Sequence, residues 1–111
     1  MARVLEFFVR RVEVEGTSMT PTYQPGERLT AVRRWRPIHP GDVVVVRDPR
    51  DHERWLLKRC VSSVGFQLDL RGDNPSASTD SRDFGLVDGH LVKWIVVSPR
   101  PHPSHQEPLV D

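Results

Sequence analysis

The chain carries a single cysteine, Cys60, so no internal disulfide can staple it, and the redox compartment is left open. It has no excess of one charge. Sixteen basic and fifteen acidic residues are interspersed, giving a net charge of +1 and a pI near 8.0, with no general pull towards nucleic acid or an anionic membrane. Nowhere does an apolar run reach the ~18 residues that a spanning helix requires. The N-terminal patch from Val4 to Val9 is interrupted by Glu6, short of the ~7–15 apolar residues of a signal-peptide core. The expectation is a chain that is cytoplasmic or peripheral at a membrane. Lysine is scarce as well: Lys58 and Lys93 stand against fourteen arginines. A GC-rich genome would produce that bias, yet each lysine matters chemically, because burial can deprotonate a lysine and in practice not an arginine.

What is present suits one small domain. The 111 residues, 37% of them apolar, can build a single core and not two. Arg10 to Glu15 alternates Val12 and Val14 with charge, the pattern of a half-buried strand that Gly16 ends. Glu27 to Arg34 follows the Pro25-Gly26 turn as a second strand, and the four valines Val43 to Val46 suit a strand buried on both faces. Asp48 to His52 reads as a solvated turn. Trp55 to Val61 and Phe66 to Leu70 read as a hairpin, and His90 to Val97 as the last strand. Between them, Arg71 to Asp83 is a long irregular stretch of a kind that is usually functional in so small a domain. With no long amphipathic helix, the expected fold is all-β, a small open β-barrel or β-sheet. The expected organisation is one domain over 1–97 and a disordered, proline-rich tail over 98–111.

The chemistry centres on Gly16-Thr17-Ser18-Met19-Thr20-Pro21-Thr22, which sets a hydroxyl on a turn. A serine there needs a base. The five histidines lie in turns, in the tail or at a strand start, and none has metal-ligand spacing with a second His or Cys, so neither a metal nor a His triad is expected. Strand alternation instead puts Leu56, Lys58 and Cys60 on one face, where apolar neighbours would desolvate the lysine and lower its pKa. A neutral lysine can activate a serine for acyl transfer without histidine. Taken singly, Ser18 reads as a turn serine, Lys58 as a snorkelling lysine and Asp80-x-Arg82 as a surface ion pair. Met19, Tyr23, Phe7 and Phe8 read equally as an apolar rim for substrate or a membrane surface and as core.

Four segments in order change that balance: Ser18-Met19-Thr20-Pro21-Thr22, Pro40-Gly41-Asp42-Val43, Lys58-Arg59, and Gly72 to Gly85 with its Gly-Asp-Asn start and Asp-Ser-Arg end. Together they resemble the successive boxes of the signal peptidase I family of Ser/Lys peptidases, over about Val12 to Val97. The resemblance implies the signal peptidase/LexA-like β fold, Ser18 as nucleophile and Lys58 as general base. It implies Ser78 as the hydroxyl that orients the lysine, Asp80 and Arg82 as a pair that scaffolds the loop, and substrate contacts at Met19 and Pro21. The backbone N–H of Ser18 would serve the oxyanion, and where some members add a hydroxyl two residues before the nucleophile this chain has Gly16. The implied partner is a precursor protein or peptide whose N-terminal leader is removed, with no nucleic acid, no cofactor and a peripheral membrane contact left open. The compact form is similar to proteases that mature nickel-type superoxide dismutase. The competing expectations are a LexA-like self-cleaving domain, against which the chain has no Ala-Gly bond, and a non-catalytic β-rich binding module.

Overall fold

A computed structural model describes residues 7–99. Among these residues seven strands form one antiparallel sheet: β1 (Val9–Glu13), β2 (Arg28–Arg33), β3 (Val43–Asp48), β4 (Asp51–Val64), β5 (Gln67–Arg71), β6 (Val87–Asp88) and β7 (Val92–Ser98). Their spatial order is β1-β2-β7-β3-β4-β5-β6. The last strand is thus inserted between the second and third, and the fold cannot close until the C-terminal part of the domain is in place. Helical structure among the described residues is confined to short pieces, including α1 (Ser81–Phe84) and single 3₁₀ turns at Pro75–Ala77 and Gly89–Leu91.

The valine run accounts for the centre. β3 pairs with β7 on one side and β4 on the other, and Val43, Val44, Val45 and Val46 are all buried. Their alternation feeds two clusters. Val43 and Val45 pack with Val14, Met19, Tyr23, Leu29 and Trp94, whereas Val44 and Val46 pack with Cys60, Leu68, Leu70, Val92 and Ile95.

The all-β reading holds, with differences at element ends. Asp48 lies at the end of β3, fully buried, and accepts hydrogen bonds from the backbone N–H and the guanidinium of Arg50. It is no solvated turn residue, because its carboxylate closes the β3–β4 turn from inside. β4 runs 14 residues rather than seven, pairing first with β3 and, from Arg59 onward, with β5. Ser98, grouped by sequence with the tail, ends β7, and the Tyr23 hydroxyl donates to the Pro99 carbonyl at 2.8 Å. Residues 100–111, the rest of that tail, lie outside the described residues.

The long reach of β4 shapes the site. Among the described residues it has a partner on one side only from His52 to Lys58, and β1 likewise pairs with β2 alone. These two free edges face each other across a groove lined by Val12 to Glu15 and Arg54 to Leu57, with Val45 at its base.

Candidate active site

Ser18 sits in a turn that leaves β1 and is tied down next to the nucleophile position. Met19, its neighbour, is buried with Val14 and Tyr23, which anchors the turn by roughly 1.5–3 kcal/mol of side-chain burial. Inside the turn, Thr20 N–H and Oγ1 both donate to the Thr17 carbonyl, and Tyr23 N–H donates to that of Met19. Ser18 itself stays half-buried. Among the described residues its N–H has no hydrogen-bond acceptor, so it is free to serve an incoming oxygen.

Lys58 is 4% exposed, beside Val44 in register and on the face that carries Leu56 and Cys60. Burial pushes its pKa down from the usual lysine value, opposed in part by the Asp80 carboxylate. Its Nζ donates to Ser78 Oγ at 2.8 Å, and Ser78 Oγ donates to Asp80 Oδ2 at 2.6 Å. The chain continues to Arg82, whose guanidinium meets both Asp80 oxygens at 3.0 and 2.6 Å. Asp80 is fully buried and also accepts from the Gly72 N–H at 2.8 Å. Burial alone would raise the Asp80 carboxyl, but Arg82, Ser78 and the N–H groups of Gly72 and Arg82 override it and hold the group well below the ordinary carboxylate range. A capping box with Asp83 makes Asp80 the N-cap of α1, so the residues following the orienting serine are fixed by local structure as well.

Ser18 and Lys58 line one cleft of about 550 Å³, together with Gly16, Thr17, Met19 and residues 54–57. No Ser18–Lys58 hydrogen bond is formed; the amine is held by Ser78. Of the other expected site residues, Ser78, Asp80 and Arg82 form the network just described. Met19 reaches the cleft from the core, while Pro21 is exposed and is not part of its lining. The four aromatic and apolar rim candidates divide: Met19 and Tyr23 are core, whereas Phe7 and Phe8 are exposed.

Sequence reasoning assigned no role to the residues that clamp the serine turn to the 72–85 loop. Asn74 donates its N–H to the Ser18 carbonyl at 2.9 Å and its side-chain amide to the Thr17 carbonyl and Thr20 Oγ1. Asp73 accepts from Thr22 Oγ1 and forms a two-pronged pair with Arg59 at 2.9 and 3.0 Å, both side chains nearly buried. Arg59 also reaches the Gly41 carbonyl, and reciprocal backbone bonds join Gly41 and Asp42 to Cys60. The Pro40-Gly41-Asp42 segment is therefore a brace for the strand that carries Lys58. Apart from Thr17 and Cys60, each one residue beyond a box, these residues lie in the four sequence boxes, and that clustering was the signal available.

Gly16 has φ of +71°, a left-handed conformation in which a side chain is strained. The missing hydroxyl at this position thus follows from the path of the backbone. A free thiol at Cys60 plays no part in the cleft: burial pushes it up to about 11, and it packs in the second core cluster.

A family model described as signal peptidase, peptidase S26, matches residues 1–71. The chain is 33% identical over 113 aligned residues to mitochondrial ATP-independent inner membrane protease subunit 1a of Arabidopsis thaliana, covering 78% of this chain and 67% of that protein. It is 29% identical over 126 residues to mitochondrial inner membrane protease subunit 1 of Schizosaccharomyces pombe, covering 90% and 80%. Subunit 1b of the Arabidopsis protease is 32% identical over 108 residues, covering 74% and 64%.

Proposed function

The chain belongs to the signal peptidase S26 family, and we propose that within it this protein is a serine endopeptidase that uses Ser18 and Lys58 to remove an N-terminal leader from a precursor polypeptide. The observation that carries the reading is the buried Lys58 amine, held by Ser78 and opening into the cleft that Ser18 lines. A desolvated amine is neutral in a larger fraction of molecules near neutral pH, and only the neutral form can accept a proton. In the proposed reaction Ser18 Oγ attacks the scissile carbonyl while Lys58 takes its proton. The oxyanion is met by the Ser18 N–H, Lys58 returns the proton to the departing amine, and water then hydrolyses the acyl-enzyme with Lys58 again as base. Ser18 Oγ must come within about 2.6–3.2 Å of the amine for this, a hydrogen bond of the kind that commonly tightens only with substrate in place.

The groove supports an extended peptide as substrate. The free edges of β1 and β4 present unpaired backbone groups on both sides, and a strand laid between them would complete both ladders. Among the described residues no helix is long and apolar enough to cross a membrane. We place the enzyme at a membrane surface, the named relatives being inner-membrane proteases. The superoxide dismutase precursor suggested by the compact sequence form is the specific substrate to try first.

The test is cleavage of a mixed peptide library, read by mass spectrometry, with wild type, Ser18→Ala, Lys58→Ala and Lys58→Arg. All three variants are expected to be inactive, the last because arginine cannot be deprotonated. Full activity in any of them overturns the mechanism. The absent Ser18–Lys58 hydrogen bond favours a second reading, a binding module without catalysis. Failure of a folded sample to react at Ser18 with a serine-directed acylating probe, together with no cleavage of any library peptide, would favour that reading.

A further inference from the structure

Four strands change character in the same direction along one face of the sheet. On β1 the inward row runs from Val12 to Arg10, on β2 from Leu29 and Ala31 to Arg33, on β3 from Val43 and Val45 to Arg47, and on β4 from Leu57 to Trp55. Positions where alternation would place core residues thus carry three arginines. They surround a cleft of about 590 Å³ at the far end of the groove from Ser18, and among the described residues no acidic one lines it. Two tryptophans support them. The Arg10 and Arg33 guanidiniums lie 5.2 and 5.1 Å from the Trp94 ring centre, and that of Arg47 lies 4.0 Å from that of Trp55. Arg33 donates to the Phe7 carbonyl at 3.1 Å and Arg47 to the His52 carbonyl at 2.7 Å, so both are oriented. Among the described residues none of the three is paired with a carboxylate.

We propose that this basic mouth is a subsite for an acidic side chain of the polypeptide held in the groove, several residues from the bond that is cut. The proposal rests on the peptidase reading. Two observations select a polypeptide as occupant. The mouth is continuous with the groove, Val12, Val45 and Trp55 lining both. The arginines also stand on the face that carries the first core cluster, the face along which the groove runs. In register, Arg47 and Trp55 lie three residues beyond Val44 and Lys58. At about 3.3 Å per extended residue this is roughly 10 Å, which places the selected side chain about three or four residues from the scissile bond. A guanidinium stacked on an indole keeps its N–H edge free, and that edge matches a carboxylate with two hydrogen bonds.

The test takes the best-cut library peptide and places Glu or Lys about three or four residues from the cleavage site, on either side. Wild type is expected to prefer Glu on one side by about tenfold in kcat/KM, chiefly through KM, with the preference fading in about 1 M salt. Arg10→Glu/Arg33→Glu should invert the preference, and Arg10→Lys/Arg33→Lys should keep it. Equal cleavage of all the peptides, or a preference indifferent to charge reversal, overturns the subsite while leaving the peptidase intact. If no peptide is cut, the peptidase reading fails separately. Fluorescence anisotropy with labelled alanine-based dodecapeptides carrying three Glu or three Lys then decides the subsite, equal binding by the Ser18→Ala chain overturning it. Sedimentation with phosphatidylglycerol vesicles that is lost in Arg10→Glu/Arg33→Glu, without any peptide discrimination, would assign the face to a membrane instead.

Discussion

Replacing Gly72 by alanine isolates the contact on which the whole site depends. The backbone of Gly72 does not adopt a positive φ, so φ does not forbid alanine there. Space is what forbids it. An added Cβ would lie 2.4 Å from Ser78 Oγ, 2.6 Å from the Ser18 carbonyl oxygen and 2.7 Å from Ser78 Cβ, against ordinary contact at 3.4 Å or more. Something must move by about 1 Å, and Gly72 cannot, because its N–H is held by Asp80 and its carbonyl by Arg82. The nucleophile turn and the serine that orients Lys58 are therefore pushed apart. Overpacking of this kind costs about 1–3 kcal/mol, and a misplacement of about 1 Å at reacting groups can cost about 100-fold in rate. The expected result is a folded variant with a lowered melting temperature and kcat/KM on the best-cut peptide reduced by about two orders of magnitude. Activity within threefold of wild type at an unchanged melting temperature would refute the reasoning, since it would mean that the loop and the turn need not touch.

Two further perturbations test the electrostatics. Asp80→Asn removes the negative charge that holds the Lys58 pKa up against burial and leaves Arg82 positive nearby, so the acid limb of the kcat/KM profile should move to lower pH, and an upward move would contradict the assignment. Because the Asp80 carboxyl is depressed in the folded chain, the stability it gives is complete above the ordinary carboxylate pKa near 4. The gap in unfolding free energy between wild type and Asp80→Asn should accordingly be full above about pH 5 and shrink as pH falls through the folded-state value. Asp73→Ala strands the nearly buried Arg59 without its counter-charge and should cost about 3–5 kcal/mol in urea unfolding, while Arg59→Met/Asp73→Leu should recover most of that loss.

Strand positions, the buried valine core and the five candidate site residues Ser18, Lys58, Ser78, Asp80 and Arg82 were all legible as local pattern or as ordered boxes. Alternation over Arg10 to Glu15 and Phe66 to Leu70 is written in period two, and a period is a property of neighbours along the chain. What decided the rest was which strands lie side by side. Insertion of β7 between β2 and β3 sets Trp94 beside Arg33 and under Arg10, and no window of sequence contains that adjacency. Burial of Asp48 depends on Arg50 folding back over it, and the clamp from Asp73 and Asn74 to Thr22, Ser18 and Arg59 spans more than fifty residues at its widest. The sequence by itself determined a β domain with a serine, a scarce lysine and a loop of hydroxyls and carboxylates. Only the tertiary structure decided that Asp48 is buried, that Asp73 and Asn74 clamp the serine turn to the loop, and that the groove opens onto arginines. Burial and charge proximity are sums over neighbours in space, and most of those neighbours are distant in the chain.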